Sequence, residues 1–159
     1  MIKVFATDVD GVLTDSGMYY SESGDEFKKF STYDGKAFEI LNKLGVKTAI
    51  ITSENTKIVA NRAKKLSVDY LYQGVNSKID VLNEICQKEG IDYDEISYIG
   101  DDINDLEVLD IVKYKACPLN AMKVIADIDG IIQLQTEGGY GAVREFVELL
   151  INRCAINEK

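Results

Sequence analysis

The sequence predicts an α/β fold, a mostly parallel sheet with helices on both faces. Six short apolar or β-branched runs alternate with longer segments of helical period, the pattern of strand-helix-strand units. Helix-start residues and glycine stops punctuate the helical segments. The 159 residues, 46% of them hydrophobic, suffice for one full core and are too few for two ordinary domains. A single domain over 1–159 is therefore expected.

The first strand is "IKVFAT", followed at once by the acid-rich "DVDGVLTD". "GMYYSESGDEFKKF" then breaks the alternation: two β-like arms flank a "SESGDE" turn, which reads as a hairpin inserted at about 17–30. Tyr19, Tyr20, Phe27 and Phe30 on it are expected to pack the ribbon or a subunit contact. "GKAFEILNKLG" spaces Phe38, Leu41 and Leu44 by three, with Asp34 as start and Gly45 as stop. After the strand "VKTAII" and a further helix comes the strand "DYLYQG", and then "SKIDVLNEICQKEG" repeats the spacing with Ile79, Leu82 and Ile85. That helix starts at Ser77 or Asn76 and stops at Gly90. "ISYIG", "YKACP" and "GIIQL" are the remaining strands, and "GGYGAVREFVE" opens the last helix. No repeat, low-complexity tract or proline-rich linker interrupts the chain.

Composition excludes several function classes. A formal net charge of −9 and a pI near 4.6 leave no basic surface to follow a phosphate backbone, so nucleic acid is not an expected partner. "MIKVFATD" is too short for a signal-peptide core and no run reaches membrane-spanning length, so a soluble, cytoplasmic protein without a membrane partner is expected. Cys86, Cys117 and Cys154 lack CxxC spacing and read as buried or bystander thiols. Histidine is absent, which removes Ser-His-Asp and Cys-His pairs and every zinc site that needs imidazole.

In sheets of this kind ligands collect beyond the carboxyl ends of the strands. Asp8 and Asp10 follow the first strand, Thr52 and Ser53 follow "KTAII", Lys78 opens the helix after "YLYQG", and Asp101, Asp102 and Asp105 follow "ISYIG". These groups converge on one sheet edge. Crowded carboxylates repel, and a hard divalent cation, most simply Mg²⁺, neutralises them while leaving room for water and phosphate. Asp8 is the expected nucleophile on phosphorus, and Asp10 the acid that protonates the departing alcohol and later deprotonates water. Thr52, backbone amides and Lys78 would hold the phosphoryl oxygens. In isolation Asp8 and Asp10 could instead be turn or cap residues, and Asp102 and Asp105 helix-start acids.

Together "DVDGVLTD", "ITSE", Lys78 and "GDDINDLE" resemble the four motifs of the haloacid-dehalogenase superfamily of phosphatases. More narrowly, "DVDGVLTDSGMYYSESGDEFKKF", "VDYLYQGVNSK", "YIGDDINDLEVL" and "GGYGAVREFVE" are similar to its capless sugar-acid phosphatases over nearly the whole chain. The resemblance implies a Rossmann-like sheet, Mg²⁺ dependence and a homotetramer in which the inserted hairpins pack together and neighbouring subunits help cover each active site. It implies metal ligation by Asp8, the backbone carbonyl of Asp10, and Asp101, supported by Asp102 and Asp105. It also brings "GGYGAVRE" near the site. Assembly has an independent rationale: phosphoryl transfer profits from excluding water, and the insert is too short for a globular cap domain.

Octulosonate 8-phosphate phosphatases of this group usually carry Gly-Arg after the motif-two threonine, where this chain has Ser53 and Glu54. Nonulosonate 9-phosphate relatives resemble it in having glutamate there, with arginine and lysine along the next helix, here Arg62 and Lys65. Exchanging arginine for glutamate reverses the charge facing the substrate. The sequence therefore favours a nonulosonate 9-phosphate, with 3-deoxy-manno-octulosonate 8-phosphate as the alternative. Thr32 joins Ser53, Glu54, Arg62 and Lys65 as a substrate-binding candidate, and Asp34 also faces the entrance. Two readings of another class remain: a receiver-like signalling module, opposed by the lack of a carboxylate after "YLYQG", and a non-catalytic oligomerisation domain, opposed by the intact set of acids.

Overall fold

A computed structural model describes residues 1–156. In chain order the elements are β1 (Val4–Thr7), β2 (Tyr19–Tyr20), β3 (Glu26–Phe27), α1 (Thr32–Lys43), β4 (Lys47–Ile51), α2 (Lys57–Leu66), β5 (Tyr70–Tyr72) and α3 (Lys78–Glu89). They continue with β6 (Ile96–Ile99), α4 (Leu106–Ile111), β7 (Tyr114–Cys117), α5 (Lys123–Ala126), β8 (Ile132–Gln133) and α6 (Ala142–Asn152). Six strands form one sheet in the order β5-β4-β1-β6-β7-β8, every neighbouring pair parallel. All six apolar runs are strands of that sheet, and β2 and β3 pair antiparallel as the hairpin.

Sheets of this type bury both faces, which is why the strands read as continuous apolar runs. All four residues of β1 are buried, and they divide by alternation. Phe5 enters one core with Phe38 and Leu41 of α1 and Phe146 and Leu150 of α6; Val4 and Ala6 enter the other with Leu82 and Ile85 of α3 and Leu109 of α4. Burying each such large side chain contributes about 1.5–3 kcal/mol, so β1 is clamped from both sides and its carboxyl end is fixed.

Helix starts show one departure. The α1 N-cap is Ser31, whose hydroxyl accepts the Tyr33 N–H, rather than Asp34. Asp34 sits in the first turn, buried, and its Oδ1 accepts the Arg144 N–H at 3.0 Å, so the acid serves the start of α6 instead. Ser77 caps α3, with its Oγ accepting the Asp80 N–H at 3.4 Å. On the hairpin only Phe30 packs against the core, while Tyr19, Tyr20 and Phe27 are exposed. Cys117 is buried, Cys86 half-buried and Cys154 exposed. Among the described residues no helix is long and apolar enough to cross a membrane.

Candidate active site

Parallel pairing brings the acids together. Thr7 of β1 lies in register with Ile99 of β6 and Ile50 of β4, so Asp8, Asp101 and Thr52 leave neighbouring strands at one sheet edge. The Asp8 N–H donates to the Ile99 carbonyl at 3.1 Å. The chain then turns tightly, the Val9 carbonyl accepting from the N–H groups of Val12, Leu13 and Thr14. Gly11 is required there: its φ is +85°, and a Cβ would lie 1.9 Å from Asp101 Oδ2.

Asp8, Asp101 and Asp105 each offer a carboxylate oxygen within 4.8 Å of the others. Lys78, at the first position of α3, is buried between two of them, with Nζ 2.9 Å from Asp8 Oδ1 and 2.7 Å from Asp105 Oδ1. Asp105 is fully enclosed. Its Oδ1 also accepts the Tyr98 hydroxyl at 2.5 Å, and its Oδ2 accepts the N–H groups of Asp101 at 3.0 Å and Asp102 at 3.3 Å. Both oxygens of Asp105 are thus committed to holding Lys78 and the loop that carries Asp101. Asp102 is exposed and accepts the Ile103 N–H at 2.7 Å.

One ammonium faces three buried carboxylates, and the imbalance shows in their protonation. Burial, reinforced by Asp105 and opposed by Lys78, raises the Asp8 carboxyl to about 7. Burial, reinforced by Asp8 and Asp105, raises Asp101 to about 8. Burial opposes the Lys78 charge, but Asp8 and Asp105 outweigh it and its pKa is raised. Asp101 Oδ1 is buried with no hydrogen-bond partner. A hard divalent cation with oxygen ligands would satisfy that atom and let Asp8 and Asp101 ionise, so the residues present fit such an ion.

Asp10 stands apart from this group. Its carboxylate meets Lys28 Nζ at 2.6 Å, and the same ammonium lies 2.7 Å from Glu54 Oε2. Asp8, Asp10, Thr52, Ser53, Glu54, Asp101 and Asp102 line one cleft of about 300 Å³, together with Ser16, Ile103 and Asn104. Asn104 donates to the Ser53 hydroxyl at 3.3 Å.

Thr32, Arg62 and Lys65 are brought together, but not into this cleft. They line a separate depression of about 300 Å³ between α1 and α2, with Lys36 and Glu39. Arg62 donates to the Ser31 carbonyl at 2.9 Å, and its guanidinium lies 5.4 Å from the centre of the Phe30 ring. The cause is helical rise: Arg62 lies five residues into α2, about 7 Å beyond its start.

Sequence reasoning missed Lys28, Ser16, Ile103, Asn104 and Asn120. Asn120 donates to the Gly11 carbonyl at 3.0 Å and accepts the Gly138 N–H at 2.6 Å, stapling the "GGYGAVRE" loop to the turn after Asp8. Its position just past β7, at the ligand-bearing edge, was the available signal. For Lys28 it was a lysine pair on the return arm of an insert that begins beside the acids.

A family model described as haloacid dehalogenase-like hydrolase matches residues 17–110. The 3-deoxy-D-manno-octulosonate 8-phosphate phosphatase KdsC of Escherichia coli K12 is 32% identical over 151 residues, covering 94% of this chain and 79% of that one. The crystal structure of the Moraxella catarrhalis 3-deoxy-D-manno-octulosonate 8-phosphate phosphatase, in complex with magnesium ion, phosphate ion and KDO, is 34% identical with a TM-score of 0.90, covering 95% of this chain and 86% of that one. The cobalt-bound deoxy-D-mannose-octulosonate 8-phosphate phosphatase of Haemophilus influenzae is 27% identical with a TM-score of 0.88, covering 95% and 88%. With an acid-lined edge on a parallel sheet and a hairpin as the insert after the first strand, this chain belongs to the haloacid dehalogenase-like hydrolases, in their capless group of sugar-acid phosphatases.

Proposed function

We propose that the protein is an Mg²⁺-dependent phosphatase acting on a phosphorylated 2-keto-3-deoxy sugar acid, with 3-deoxy-manno-octulosonate 8-phosphate as substrate. The observation that carries the reaction is the buried group of Asp8, Asp101, Asp105 and Lys78, of which Asp8 and Asp101 line a cleft together with Asp10. The octulosonate substrate is supported by relatives that carry that name and span nearly the whole chain. This reverses the preference read from the sequence. The nonulosonate 9-phosphate reading keeps one specific support, Glu54 lining the cleft where an arginine is usual in the octulosonate enzymes.

Asp8 attacks phosphorus, the bond to the alcohol oxygen breaks, and that oxygen takes the proton of the Asp10 carboxyl. Water then gives a proton to Asp10 and attacks the aspartyl phosphate, breaking its bond to Asp8 and releasing phosphate. Lys78 and Thr52 hold the phosphoryl oxygens while charge redistributes. Asp105, Tyr98 and the Asp101 N–H fix Lys78 and the acidic loop without touching substrate. Asp8, Asp101 and the Asp10 main-chain carbonyl would hold the Mg²⁺ ion, which would supply the positive charge that lets Asp8 and Asp101 ionise and would offset charge on the phosphoryl group.

Thr32, Arg62 and Lys65 serve substrate binding in this reading only if an assembly sets a neighbour's depression against the cleft. The exposed Met18, Tyr19, Tyr20 and Phe27 on the hairpin support a homotetramer. The test is a panel of phosphorylated 2-keto-3-deoxy acids assayed for phosphate release with and without Mg²⁺. Fastest Mg²⁺-dependent release from the octulosonate ester is expected; faster release from a nonulosonate ester moves the assignment to nine carbons, and no release from any ester refutes the reading. Asp8→Asn should abolish turnover in a folded protein, and substantial residual activity would remove Asp8 as nucleophile.

A further inference from the structure

The return arm of the hairpin, "EFKKF" at 26–30, sends its two neighbouring residues in opposite directions. Phe27 is exposed, whereas the Lys28 side chain runs inward and is only 1% exposed. Its Nζ lies 2.6 Å from Asp10 Oδ1, 2.7 Å from Glu54 Oε2 and 3.4 Å from Glu26 Oε1. One ammonium therefore gathers acids from the turn after β1, the loop after β4 and the hairpin itself. Lys78 gathers a different set, Asp8 and Asp105, so the two lysines hold separate acids of the site.

A salt bridge is weak evidence for a role when it only joins surface groups. Here two of the three acids line the cleft, and both are partly solvated: the side chains of Asp10 and Glu54 are 33% and 42% exposed. Carboxylates that open to water sample several rotamers unless a fixed partner selects one. The buried Lys28 ammonium is such a partner, anchored in a hairpin whose own ends are tied down by the bridge between Thr14 and Phe30.

We infer that Lys28 is a positioning residue of the phosphatase reaction: its ammonium holds the Asp10 carboxyl toward the cleft and ties it to Glu54, so the hairpin sets the acid–base group in place. The inference rests on the proposed role of Asp10. When the leaving group is an alcohol, its oxygen must take a proton as the phosphorus–oxygen bond breaks, and a misplaced acid delivers it poorly. A nitrophenolate leaves without that proton. Formation of the aspartyl phosphate from p-nitrophenyl phosphate is accordingly indifferent to where Asp10 lies.

The experiment compares kcat/KM for two substrates in Lys28→Met, Lys28→Gln and Lys28→Arg, all with Mg²⁺. One substrate is p-nitrophenyl phosphate; the other is whichever of the octulosonate 8-phosphate and the nonulosonate 9-phosphate the unaltered protein turns over faster. Lys28→Met should lose about ten-fold or more on the sugar-acid ester and less than about two-fold on the aryl ester, because acid–base catalysis is worth about 10²–10⁴ and only part is forfeited by misplacement. Lys28→Arg should recover most of the loss. Equal losses on both substrates, or none, would overturn the inference. If Lys28→Met does not fold, Lys28→Gln decides in the same way, an unchanged ratio of the two activities counting against Lys28. Failure of the unaltered protein to hydrolyse either substrate would instead overturn the phosphatase reading, and the Lys28 role with it.

Discussion

Asp101→Asn in metal-free solution should flatten the pH dependence of stability, and the size of the effect follows from the buried acids. Asp8 and Asp101 are raised from the ordinary 3.8 to about 7 and about 8, chiefly by burial. Both folded-state values lie above the unfolded ones, so without a cation the folded chain holds protons the unfolded chain has released, and stability falls as pH rises. Asp34 has the same sign but is raised only to about 6, so the interval above pH 6 belongs to the site. From pH 6 upward roughly one unit remains for Asp8 and two for Asp101, which at about 1.4 kcal/mol per unit is about 4 kcal/mol of stability lost by pH 9. Replacing Asp101 by asparagine removes its share, about two-thirds, and leaves about 1.4 kcal/mol from Asp8. Mg²⁺ should abolish the slope in the unaltered protein, because an ion that binds the ionised acids stabilises the folded state by linkage, and should do much less for Asp101→Asn. Urea denaturation at pH 6, 7, 8 and 9, in EDTA and in Mg²⁺, measures all four quantities. Metal-free stability that is flat or rises over this range, or an Asp101→Asn protein that gains as much from Mg²⁺, would refute the reasoning.

Gly138→Ala places a Cβ 2.0 Å from the Gly11 carbonyl oxygen, a clash with backbone that no side chain can relieve, so the turn carrying Asp8 and Asp10 must shift; kcat should fall about ten-fold or more in steady-state assays, and retained kcat would show that the loop does not set the turn. Tyr98→Phe removes the hydroxyl that donates to Asp105 at 2.5 Å inside the fold and should cost about 1–3 kcal/mol by urea denaturation, with a smaller loss in kcat as Lys78 loosens. Asp34→Asn should lessen the fall of stability between pH 4 and 6, where Asp34 is one of three carboxyls raised by burial together with Asp8 and Asp101, while leaving the slope above pH 6 intact; urea denaturation in EDTA extended down to pH 4 reads both.

Much of the fold was legible because both faces of the sheet are buried. Such strands are mostly apolar, and each run from "IKVFAT" to "GIIQL" holds a strand of the sheet. The start of α1 was misread for a local reason. Ser31 and Asp34 are both credible caps three residues apart, and only the tertiary fold shows that the acid is drawn off by the α6 N-terminus 110 residues away. The acids at the strand ends were legible because topology alone delivers them: a residue one or two places past a parallel strand must lie at the carboxyl edge.

Legibility ends where a side chain's place depends on how far its helix or hairpin carries it. Arg62 and Lys65 were expected at the substrate because they follow the motif-two threonine in sequence, yet each helical residue adds about 1.5 Å, and α2 takes them into the depression beside α1. Lys28 is the reverse case. It is eighteen residues from Asp10, on a segment whose pattern shows only a hairpin, but the arm folds back onto the turn from which the insert departs. An insert must end near where it began, so a cation near its returning end is available to acids at its starting end, whatever the hairpin does between. Charge balance could have raised the same suspicion: Lys78 alone cannot serve Asp8, Asp10, Glu54, Asp101 and Asp105, and Lys28 and Lys29 form a basic pair on a segment that the topology returns to that edge.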